Sequence, residues 1–509
     1  MKLGQLLEGI VIYDLDGDTE LEINGLKYDS RKIQEGDLFV AIRGHAQDGH
    51  DYMDDAVRNG AAALVAEEFK DTHGEIAKVR VPDSREVLSK LAARFYENPW
   101  EGMSVIGITG TNGKTTTSYI LESILSNAGA KPGVIGTINS RFNGRTFPSP
   151  VTTPESLDLM GLMRKMADGG VTHVIMEVSS HALDQKRTGD CPFKTAVFTN
   201  FSRDHLDYHV TMEEYFKAKS LLFRDLGRGG RDLKSIAVIN MDDPRGKELA
   251  AITGADLLTY GFGRECHVRA ESVSSDRKGL KARVVTPEGE LDIRSPLIGS
   301  VNMYNILAAT AASLSLGIDL GRVAEGIERL KAIPGRLELV ENPGGLTVVV
   351  DYAHTPDALL KAVETLLPMT KGRLITLFGC GGDRDRGKRY EMGLAAGKNS
   401  DIVVITSDNP RTEEPGSIVR QIEKGVQESG LKRSEWSSAS VTETSAYFIE
   451  IDRRKAIEKA VLMANKNDLI LIAGKGHEDY QIVGTEKVFF DDRHEVARAA
   501  KVPLGEGLN

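Results

Sequence analysis

Short apolar runs alternate with amphipathic segments along most of this chain. Between residue 103 and about residue 333, the apolar runs predict strands at residues 104–108, 134–138, 173–177, 195–199 and 235–239. Residues 115–127 place Ile120, Ile124 and other apolar side chains on one helical face and end near Gly129, so they predict a helix. Near-continuous apolar strands that alternate with helices indicate a parallel sheet covered on both faces.

A second alternating region follows Pro334-Gly335, a pair that is typical of a hinge. Strands are predicted at residues 347–350, 373–378, 401–406 and 469–473, and helices at residues 356–367 and 418–427. Before the hinge, residues 267–298 alternate as antiparallel strands around the turn at residues 287–289, and a helix is predicted at residues 302–316. The C-terminal region is therefore predicted to hold a second parallel α/β sheet.

The first 99 residues form a smaller unit of mixed pattern. It has predicted strands at residues 37–42 and 61–65, a predicted helix at residues 53–59, and a plausible boundary at Asn98-Pro99. We therefore expect an α/β protein of three domains. They are a small mixed α/β domain at residues 1–99, a central parallel-sheet domain of the P-loop ATPase type at residues 100–334, and a C-terminal Rossmann-like α/β domain at residues 335–509.

Composition supports three domains and excludes some classes of protein. The chain has 509 residues, of which 40% are hydrophobic and 27% charged, as in an ordinary globular protein. A formal net charge of −10 argues against a nucleic-acid partner. Three widely spaced cysteines match no zinc or disulfide framework and favour reduced thiols. No signal-peptide pattern and no apolar run of roughly 20 residues is present, so we expect a cytoplasmic monomer without membrane insertion.

A glycine-rich turn joins the first central strand to its helix, with the sequence VIGITGTNGKTTT at residues 105–117. Gly110 and Gly113 let backbone N–H groups approach phosphate oxygens. Lys114 supplies a cation for the outer phosphates, and Thr115 can place its hydroxyl on Mg²⁺. The general phosphate-loop pattern expects glycine where this chain has Ile108, so the loop is a variant. The alternative is an ordinary glycine turn with a chance Gly-Lys-Thr.

Two further groups follow neighbouring strands of the central region. Glu177 ends the strand at residues 173–177, where a sheet delivers a carboxylate to Mg²⁺ beside a phosphate loop. The next strand leads into TNFSRDHLDYH at residues 199–209, which brings two histidines and two aspartates to the same edge. A carboxylate and an imidazole near a nucleotide suggest more than one metal ion. The alternative is that Glu177 caps the next helix and that His205 is a surface residue.

Four loops of the C-terminal region carry unusual residues. They are DYAH at residues 351–354, GCGGDRDR at 379–386, DNPR at 408–411 and GKGHE at 474–478. Taken singly, each loop is typical of an ordinary turn. Since ligands bind beyond the carboxyl ends of parallel strands, the shared placement of the four loops predicts a binding edge.

These motifs together resemble the Mur ligase family over nearly the whole chain. The residues that carry the resemblance are Gly110-Thr-Asn-Gly-Lys-Thr115, Glu177-Val-Ser-Ser-His181, Asp204-His-Leu-Asp207, Tyr215-Phe-Lys-Ala-Lys219, Asn302-Met-Tyr-Asn305 and Pro334-Gly-Arg336. The family's loop is of the Gly-Thr-Asn-Gly-Lys-Thr type, which explains the variant position Ile108. Asp29-Ser-Arg31 and the loops at residues 408–411 and 474–478 resemble the members that add diaminopimelate.

The resemblance implies an ATP-dependent amide ligase of peptidoglycan synthesis. Its small-molecule substrates would be UDP-MurNAc-dipeptide and meso-diaminopimelate, and ATP would activate the free D-glutamyl carboxylate as an acyl phosphate that the amine attacks. The implied ATP contacts are Gly110, Thr111, Asn112, Gly113, Lys114, Thr115, Thr116, Asn302, Asn305 and Arg336. The implied Mg²⁺ ligands are Thr115, Glu177, His205 and a carbamylated Lys219, and the implied catalytic residues are Lys114, Glu177, His205 and Lys219.

Two substrate sites are carried over in the same way. The implied UDP-MurNAc contacts are Ser30, His45, Gln47, Thr152, Thr153, Ser179, Gln185 and Arg187. The implied diaminopimelate contacts are Arg384, Asp408, Asn409, Pro410, Arg411, Gly474 and Glu478. An arginine fork pairs with a carboxylate in bidentate fashion, so Arg411 is expected to select diaminopimelate over lysine. Leaving a buried Arg411 unpaired would cost about 3–5 kcal/mol.

Three alternatives remain on the sequence alone. A P-loop kinase or simple ATPase explains the central domain but gives no purpose to the loops at residues 408–411 and 474–478. A non-catalytic, nucleotide-dependent binding module is the second alternative, and a lysine-adding relative of the same family is the third. For the ligase, a site built from three domains predicts that the C-terminal domain swings about Pro334-Gly335.

Overall fold

Three largely parallel sheets and a β-hairpin organise the part of the chain that the structure describes. The computed structural model describes residues 1–44, 47–69, 76–189, 191–227, 234–436 and 444–501. Each large sheet lies in a different part of the sequence, with helices between its strands. The predicted α/β class with three sheet-containing units is confirmed, whereas the boundaries at residues 99 and 334 stay a prediction.

The N-terminal sheet has five strands. They are β1 (Asp14–Asp16), β2 (Gly25–Lys27), β3 (Asp37–Val40), β4 (Ala61–Ala66) and β5 (Ala77–Arg80). Their order is β1-β5-β4-β3-β2, and within it β1 is antiparallel to β5 while the other pairs are parallel. The helices are α1 (Leu3–Leu7), α2 (Met53–Arg58) and α3 (Ser84–Phe95), with 3-10 turns at Ser30–Lys32 and Gly49–Tyr52. The predicted strands and helix of this region are confirmed.

The central sheet has eleven strands. They are β6 (Ser104–Thr109), β7 (Pro132–Ile135), β8 (Asn139–Phe142), β9 (Arg145–Pro148), β10 (His173–Glu177), β11 (Phe193–Phe198), β12 (Ile236–Asn240), β13 (Asp256–Gly261), β14 (Val268–Asp276), β15 (Gly279–Thr286) and β16 (Gly289–Ser295). Their order is β16-β15-β14-β13-β12-β11-β6-β10-β7-β8-β9. Strand β6 is parallel to both neighbours, β10 and β11, so the loops that follow these three strands meet at one edge.

Helices cover both faces of the central sheet, as the pattern predicted. They are α4 (Lys114–Asn127), α5 (Ser156–Asp168), α6 (Ser180–Asp184), α7 (Leu206–His209), α8 (Met212–Arg224), α9 (Gly246–Ile252), α10 (Val301–Ser315) and α11 (Leu320–Arg329). Helix α4 and helix α10 share one buried core with residues of β6, and helix α5 and helix α8 lie in another. Ile108, the variant position, is fully buried in the first of these cores.

The C-terminal sheet has six strands. They are β17 (Glu338–Leu339), β18 (Thr347–Asp351), β19 (Leu374–Phe378), β20 (Ile402–Ile405), β21 (Ala446–Ile449) and β22 (Leu469–Ala473), and a separate hairpin consists of β23 (Tyr480–Val483) and β24 (Glu486–Phe489). The order is β17-β18-β22-β19-β20-β21, in which β17 is antiparallel to β18 and the other pairs are parallel. The four unusual loops follow β18, β19, β20 and β22, so they lie at one edge, as predicted.

The helices of this region are α12 (Pro356–Leu366), α13 (Gly387–Asn399), α14 (Pro415–Glu428), α15 (Arg453–Met463) and α16 (Asp492–Ala499), with a 3-10 turn at Leu367–Met369. Among the residues that the structure describes, no helix is both long and apolar enough to cross a membrane.

One predicted strand is wrong in extent. Residues 134–138 were expected to continue as one strand, but β7 ends at Ile135 and the chain turns back into the antiparallel hairpin of β8 and β9. Most residues of this hairpin are half-buried or exposed and many are polar, so the hairpin lacks the apolar run by which a central strand is recognised.

The junction between the central and C-terminal sheets lies at Gly335. Ile333 is still part of the central core. Gly335 has φ +63°, its N–H donates to Glu338 Oε2 at 2.6 Å, and its carbonyl accepts from the Tyr352 amide at 2.9 Å. A Cβ on Gly335 would lie 2.0 Å from the backbone nitrogen of His477. Gly335 is therefore held by the C-terminal domain, and a pivot belongs on its N-terminal side.

Candidate active site

The loop between β6 and α4 has the backbone shape of a phosphate site. Gly110 and Gly113 have φ of +144° and +88°, a conformation that favours glycine. The amide of Thr111 donates to the backbone carbonyl of Asn200 at 2.8 Å, and the amide of Asn112 donates to Asn200 Oδ1 at 2.9 Å. These two hydrogen bonds fix the loop against the end of β11. Helix α4 begins after Gly113 without a side-chain cap. The N–H groups of its first turn, which includes Thr115 and Thr116, can therefore meet an anion.

Two lysines converge on one carbonyl oxygen of this loop. Nζ of Lys114 and Nζ of Lys219 each lie 2.9 Å from the oxygen of Gly110. The Lys219 side chain is buried and lies over the ring of Tyr215. Burial lowers the pKa of Lys219 well below its ordinary value, and the charge of Lys114 lowers that pKa further. Burial therefore favours the neutral amine at Lys219.

Glu177 is enclosed by the phosphate loop on one side and by a turn on the other. Its Oε2 accepts hydrogen bonds from the hydroxyls of Thr115 at 2.9 Å and Thr137 at 2.8 Å. A Cβ on Gly136 would lie 2.3 Å from Oε1, so only glycine leaves room for the carboxylate. The alternative that Glu177 caps the next helix is wrong, because the side chain of Ser179 caps α6.

His205 lies at the start of α7 with a backbone φ of +53°. Its Nε2 is 3.4 Å from Asp204 Oδ2, and its ring meets the ring of His181 edge-on at 4.9 Å between centroids. Burial lowers the pKa of His205 to about 4, although Asp204 acts in the opposite direction. The neutral imidazole that results is the form that binds metal ions.

The donor set beside the phosphate loop fits Mg²⁺ in part. A hydroxyl at Thr115 and a carboxylate at Glu177 are hard oxygen ligands, and Mg²⁺ commonly combines one or two carboxylates with substrate phosphates. In the described parts of the chain, no three histidine, cysteine, aspartate or glutamate side chains gather as a metal site. A magnesium site here would therefore depend on the Thr115 hydroxyl, the Glu177 carboxylate and phosphate oxygens. Lys219 could contribute only as a carbamate, since an amine offers no oxygen.

Two buried asparagines support the phosphate loop from α10. Asn305 Nδ2 donates to Asn302 Oδ1 at 3.0 Å, and a Cβ on Gly113 would lie 2.4 Å from Asn305 Oδ1. Their contact with ATP stays a prediction.

The C-terminal domain also reaches the phosphate loop. Arg336 Nη2 lies 3.3 Å from the hydroxyl of Thr115, and its guanidinium lies over the ring of Tyr352. Asp357 Oδ2 accepts from Asn112 Nδ2 at 3.4 Å. The predicted ATP contacts therefore come together from both domains.

Five of the residues predicted for the nucleotide sugar form one network beside Glu177. Thr153 accepts the amide of Ser179 at 3.0 Å and donates to the Glu177 carbonyl at 2.8 Å. Arg187 donates to the Thr153 carbonyl at 2.9 Å and to Gln185 Oε1 at 2.7 Å. Thr152 Oγ1 lies 3.1 Å from the hydroxyl of Thr137, which itself bonds Glu177.

The other three predicted nucleotide-sugar residues belong to the N-terminal domain. Asn59 Nδ2 donates to the carbonyl of Ser30 at 2.9 Å, and the amide of Gly44 donates to the carbonyl of Gln47 at 2.9 Å. His45 lies outside the described residues. The Arg85–Glu155 ion pair, 2.9 Å long, joins this domain to the start of α5.

The C-terminal loops bring most of the predicted diaminopimelate residues together. Asn409 Nδ2 donates to Glu478 Oε2 at 2.9 Å. A Cβ on Gly474 would lie 3.0 Å from Asp408 Oδ2. The loop at residues 408–411 is held by the hairpin of β23 and β24, because the amide of Arg411 donates to the carbonyl of Ile482 at 3.1 Å.

The two predicted arginines flank Gly381. A Cβ there would lie 3.0 Å from Arg411 Nη1 and 3.7 Å from Arg384 Cγ. Arg384 is exposed and lies in a run of charged residues. Arg411 is half-buried, and its Nη1 lies 2.7 Å from the carbonyl oxygen of Gly382. The expectation of a buried Arg411 is therefore wrong, because its side chain is partly exposed.

Sequence reasoning missed several residues of the site. Thr137 carries no sequence signal, since it lies in a stretch that was predicted as a strand. Asn200 lay within the loop at residues 199–209, but no role was assigned to it. Lys475 lay within a loop that had been singled out, and its position between two glycines was the available signal. Its buried Nζ donates to Glu478 at 3.0 Å and to Asn409 at 3.2 Å.

Three family models match this chain in succession. Residues 22–96 match the Mur ligase family catalytic domain, residues 108–313 the Mur ligase middle domain, and residues 335–476 the Mur ligase glutamate ligase domain.

Individual relatives match over the full length. The chain is 47% identical over 509 residues to the UDP-N-acetylmuramoyl-L-alanyl-D-glutamate–2,6-diaminopimelate ligase of Geobacter metallireducens, with 100% of each chain covered. It is 46% identical over 506 residues to the ligase of the same description from Geobacter sulfurreducens, covering 98% of each. A solved structure of such a ligase matches with a TM-score of 0.69 and 31% identity, covering 98% of this chain and 99% of that one.

Proposed function

This chain belongs to the Mur ligase family, and from that membership we propose that it is the ATP-dependent ligase that joins 2,6-diaminopimelate to UDP-N-acetylmuramoyl-L-alanyl-D-glutamate in peptidoglycan synthesis. We assign residues 1–99 to the nucleotide-sugar domain, residues 100–334 to the ATP domain and residues 335–509 to the amino-acid domain. Because the reaction consumes ATP, we infer that it takes place in the cytoplasm.

The first step transfers the γ-phosphoryl group of ATP to the free D-glutamyl carboxylate. Two anions must meet in this step, so positive charge has to offset their repulsion. We assign that charge to Lys114, to Arg336 and to the N-terminus of α4. Because Glu177 and Thr115 are 1% and 4% exposed, the acyl phosphate forms where little water reaches it.

Magnesium and a modified lysine complete the proposed centre. Mg²⁺ held here would supply positive charge to offset the charge that develops on the phosphoryl group. We assign Thr115 and Glu177 to one Mg²⁺, and Glu177, His205 and a carbamate on Lys219 to a second. The neutral amine that burial favours at Lys219 supports this, because only an unprotonated amine adds to CO₂, forming the N–C bond and releasing one proton.

In the second step the amine of diaminopimelate attacks the acyl phosphate and phosphate leaves. We assign the sugar, diphosphate and peptide to the network of Thr152, Thr153, Ser179, Gln185 and Arg187, with Ser30, His45 and Gln47 at the uridine. For the amino acid, Arg411 and Arg384 would pair with carboxylates. Glu478 and the carbonyl of Gly474 would take the distal ammonium.

The observation that carries this proposal is the full-length match to ligases described by this reaction, on a fold that brings the phosphate loop to Arg336 of the C-terminal domain. A coupled phosphate-release assay with UDP-MurNAc-dipeptide and a panel of amines tests it. We expect release that requires the dipeptide substrate and is fastest with diaminopimelate. Fast release without any amine would instead indicate a simple ATPase, and faster release with lysine would indicate a lysine-adding enzyme.

A further inference from the structure

A buried lysine lies in the amino-acid site without a role in the proposed reaction. Lys475 follows β22, and its side chain is 0% exposed. Its Nζ donates to Glu478 Oε2 at 3.0 Å and to Asn409 Oδ1 at 3.2 Å, and lies 3.8 Å from Asp408 Oδ1. A buried ammonium is costly unless its partners are fixed, so these partners indicate what Lys475 does.

Lys475 and Asn409 together fix the carboxylate of Glu478. Glu478 Oε2 accepts from Lys475 Nζ and from Asn409 Nδ2, the latter at 2.9 Å. Asn409 is itself held, because its Oδ1 accepts the amide of Ile482 at 3.0 Å. The carboxylate of Glu478 therefore has a defined orientation before an amine arrives.

The charges of this cluster do not balance. Two carboxylates, Asp408 and Glu478, face the single ammonium of Lys475. Within the described residues, Asp408 Oδ1 is buried and accepts no hydrogen bond. The nearby guanidinium of Arg453 is already paired with Asp492 at 2.8 Å. The cluster of Asp408, Glu478 and Lys475 therefore keeps one negative charge in excess, and Asp408 Oδ1 keeps one unused acceptor. A cationic amine would neutralise the charge and could donate to the acceptor.

The charge state of Glu478 depends on Lys475. Burial raises the pKa of Glu478, and the charge of Asp408 raises it further, whereas the charge of Lys475 lowers it. Among the described residues, Tyr352, Tyr480 and Arg453 also interact electrostatically with Glu478. Without Lys475, the carboxyl group would hold its proton up to a higher pH.

We propose that Lys475 is a positioning residue for amino-acid selection, which holds the carboxylate of Glu478 charged and aimed at the distal ammonium of diaminopimelate. The inference rests on the proposed function, because that function assigns the ammonium to Glu478. Lys475 acts through Glu478 and touches no reacting atom.

Lys475→Met and Lys475→Gln test the proposal in the phosphate-release assay. We expect the KM for diaminopimelate to rise by about thirtyfold or more at neutral pH, while kcat and the KM for ATP stay unchanged. The KM should recover as the pH is raised, since Glu478 then loses its proton. Lys459→Met is the matched control, because Lys459 is a part-buried lysine of the same domain that pairs with Glu450 at 2.6 Å, and no change is expected there.

A double-mutant cycle separates this role from a general loss of packing. If Lys475 acts through Glu478, the combined Lys475→Gln and Glu478→Gln variant should be no worse than Glu478→Gln alone. Additive effects, or an unchanged KM for diaminopimelate in both Lys475 variants, would overturn the proposal. A wild-type protein that shows no diaminopimelate-dependent phosphate release would instead overturn the proposed function itself.

The proposal can also be decided if the Lys475 variants do not fold. The ratio of kcat/KM for diaminopimelate in the wild type to that in Glu478→Gln removes the ionisation of the attacking amine, which both proteins share. This ratio should fall on acidification only below neutral pH. A ratio that does not change with pH, or that already falls above neutral pH, would overturn the proposal, because Glu478 would not be held charged.

Discussion

At the scale of single residues, the buried amine of Lys219 beside the phosphate loop is the group whose removal tests the proposed carbamate. Lys219→Ala removes the amine that we propose to be carbamylated, so we expect phosphate release to fall by about a hundredfold or more. Formate or acetate should restore part of the activity, because either supplies the missing oxygen anion. Lys217→Ala on the same helix is the control, since the Lys217 side chain is 72% exposed. Full activity in Lys219→Ala would rule out the carbamate.

Arg411 sets the expected preference for diaminopimelate over lysine. Arg411 is half-buried and keeps a hydrogen bond to Gly382 even when no carboxylate is bound. We therefore expect the loss of its carboxylate partner to cost about 1.5–3 kcal/mol, less than the value for a buried arginine. This free energy corresponds to a preference of roughly ten- to a hundredfold for diaminopimelate over lysine. In Arg411→Ala the ratio of kcat/KM values for the two amines should fall by that factor. Arg420→Ala, which removes an exposed arginine, should leave the ratio unchanged. A wild-type preference for lysine would contradict this assignment.

His477 makes stability depend on pH. Burial, followed by the charges of Arg336 and Arg493, lowers the pKa of His477 to about 3 from its usual 6.5. Between these values the unfolded chain binds a proton that the folded chain does not, so stability falls as the pH drops below 6.5. In His477→Gln we expect a smaller decrease in the free energy of unfolding on acidification, measured by urea denaturation at several pH values. An unchanged decrease would mean that His477 is protonated in the folded protein.

At the scale of elements, the turn after β7 positions the carboxylate of Glu177, which we propose to be catalytic. In Gly136→Ala the new Cβ would lie 2.3 Å from Glu177 Oε1, although the backbone φ of Gly136 is ordinary. We expect displacement of Glu177 and a loss of kcat of about a hundredfold, with the fold retained by circular dichroism. Gly254→Ala is the control, because nothing lies within 4 Å of its added Cβ. Unaltered kcat in Gly136→Ala would show that the position of Glu177 does not matter.

The strands of these sheets show which elements the local sequence pattern can predict. Strand β10 and strand β22 were predicted to the residue, because each is a mostly buried apolar run with a clear end: β10 ends at the acidic Glu177, and β22 ends just before Gly474. The hairpin of β8 and β9 was missed, because its strands are short, polar and near the sheet edge. Yet the turn before it holds Gly136 and Thr137 against Glu177, so part of the site was missed with it.

At the scale of the whole molecule, the central and C-terminal domains meet at the phosphate loop. Arg336 already reaches Thr115, and Arg203 pairs with Glu391 at 2.9 Å. Phosphates bound between these groups should draw the domains together. We expect the radius of gyration from small-angle scattering to fall when a non-hydrolysable ATP analogue and UDP-MurNAc-dipeptide are added together. An unchanged radius with both ligands would count against closure about the segment before Gly335.

The sequence by itself determined the three α/β units, the phosphate loop from Gly110 to Thr115, and the placement of Glu177 and of four loops at sheet edges. These depend on local spacing, because an apolar run followed by glycine and polar residues specifies a strand and the loop after it. Only the tertiary structure decided which groups touch. Lys219 bonds Gly110 across 109 residues, and Lys475 bonds Asn409 across 66. Such contacts depend on strand order and on side-chain burial, which the linear pattern does not contain.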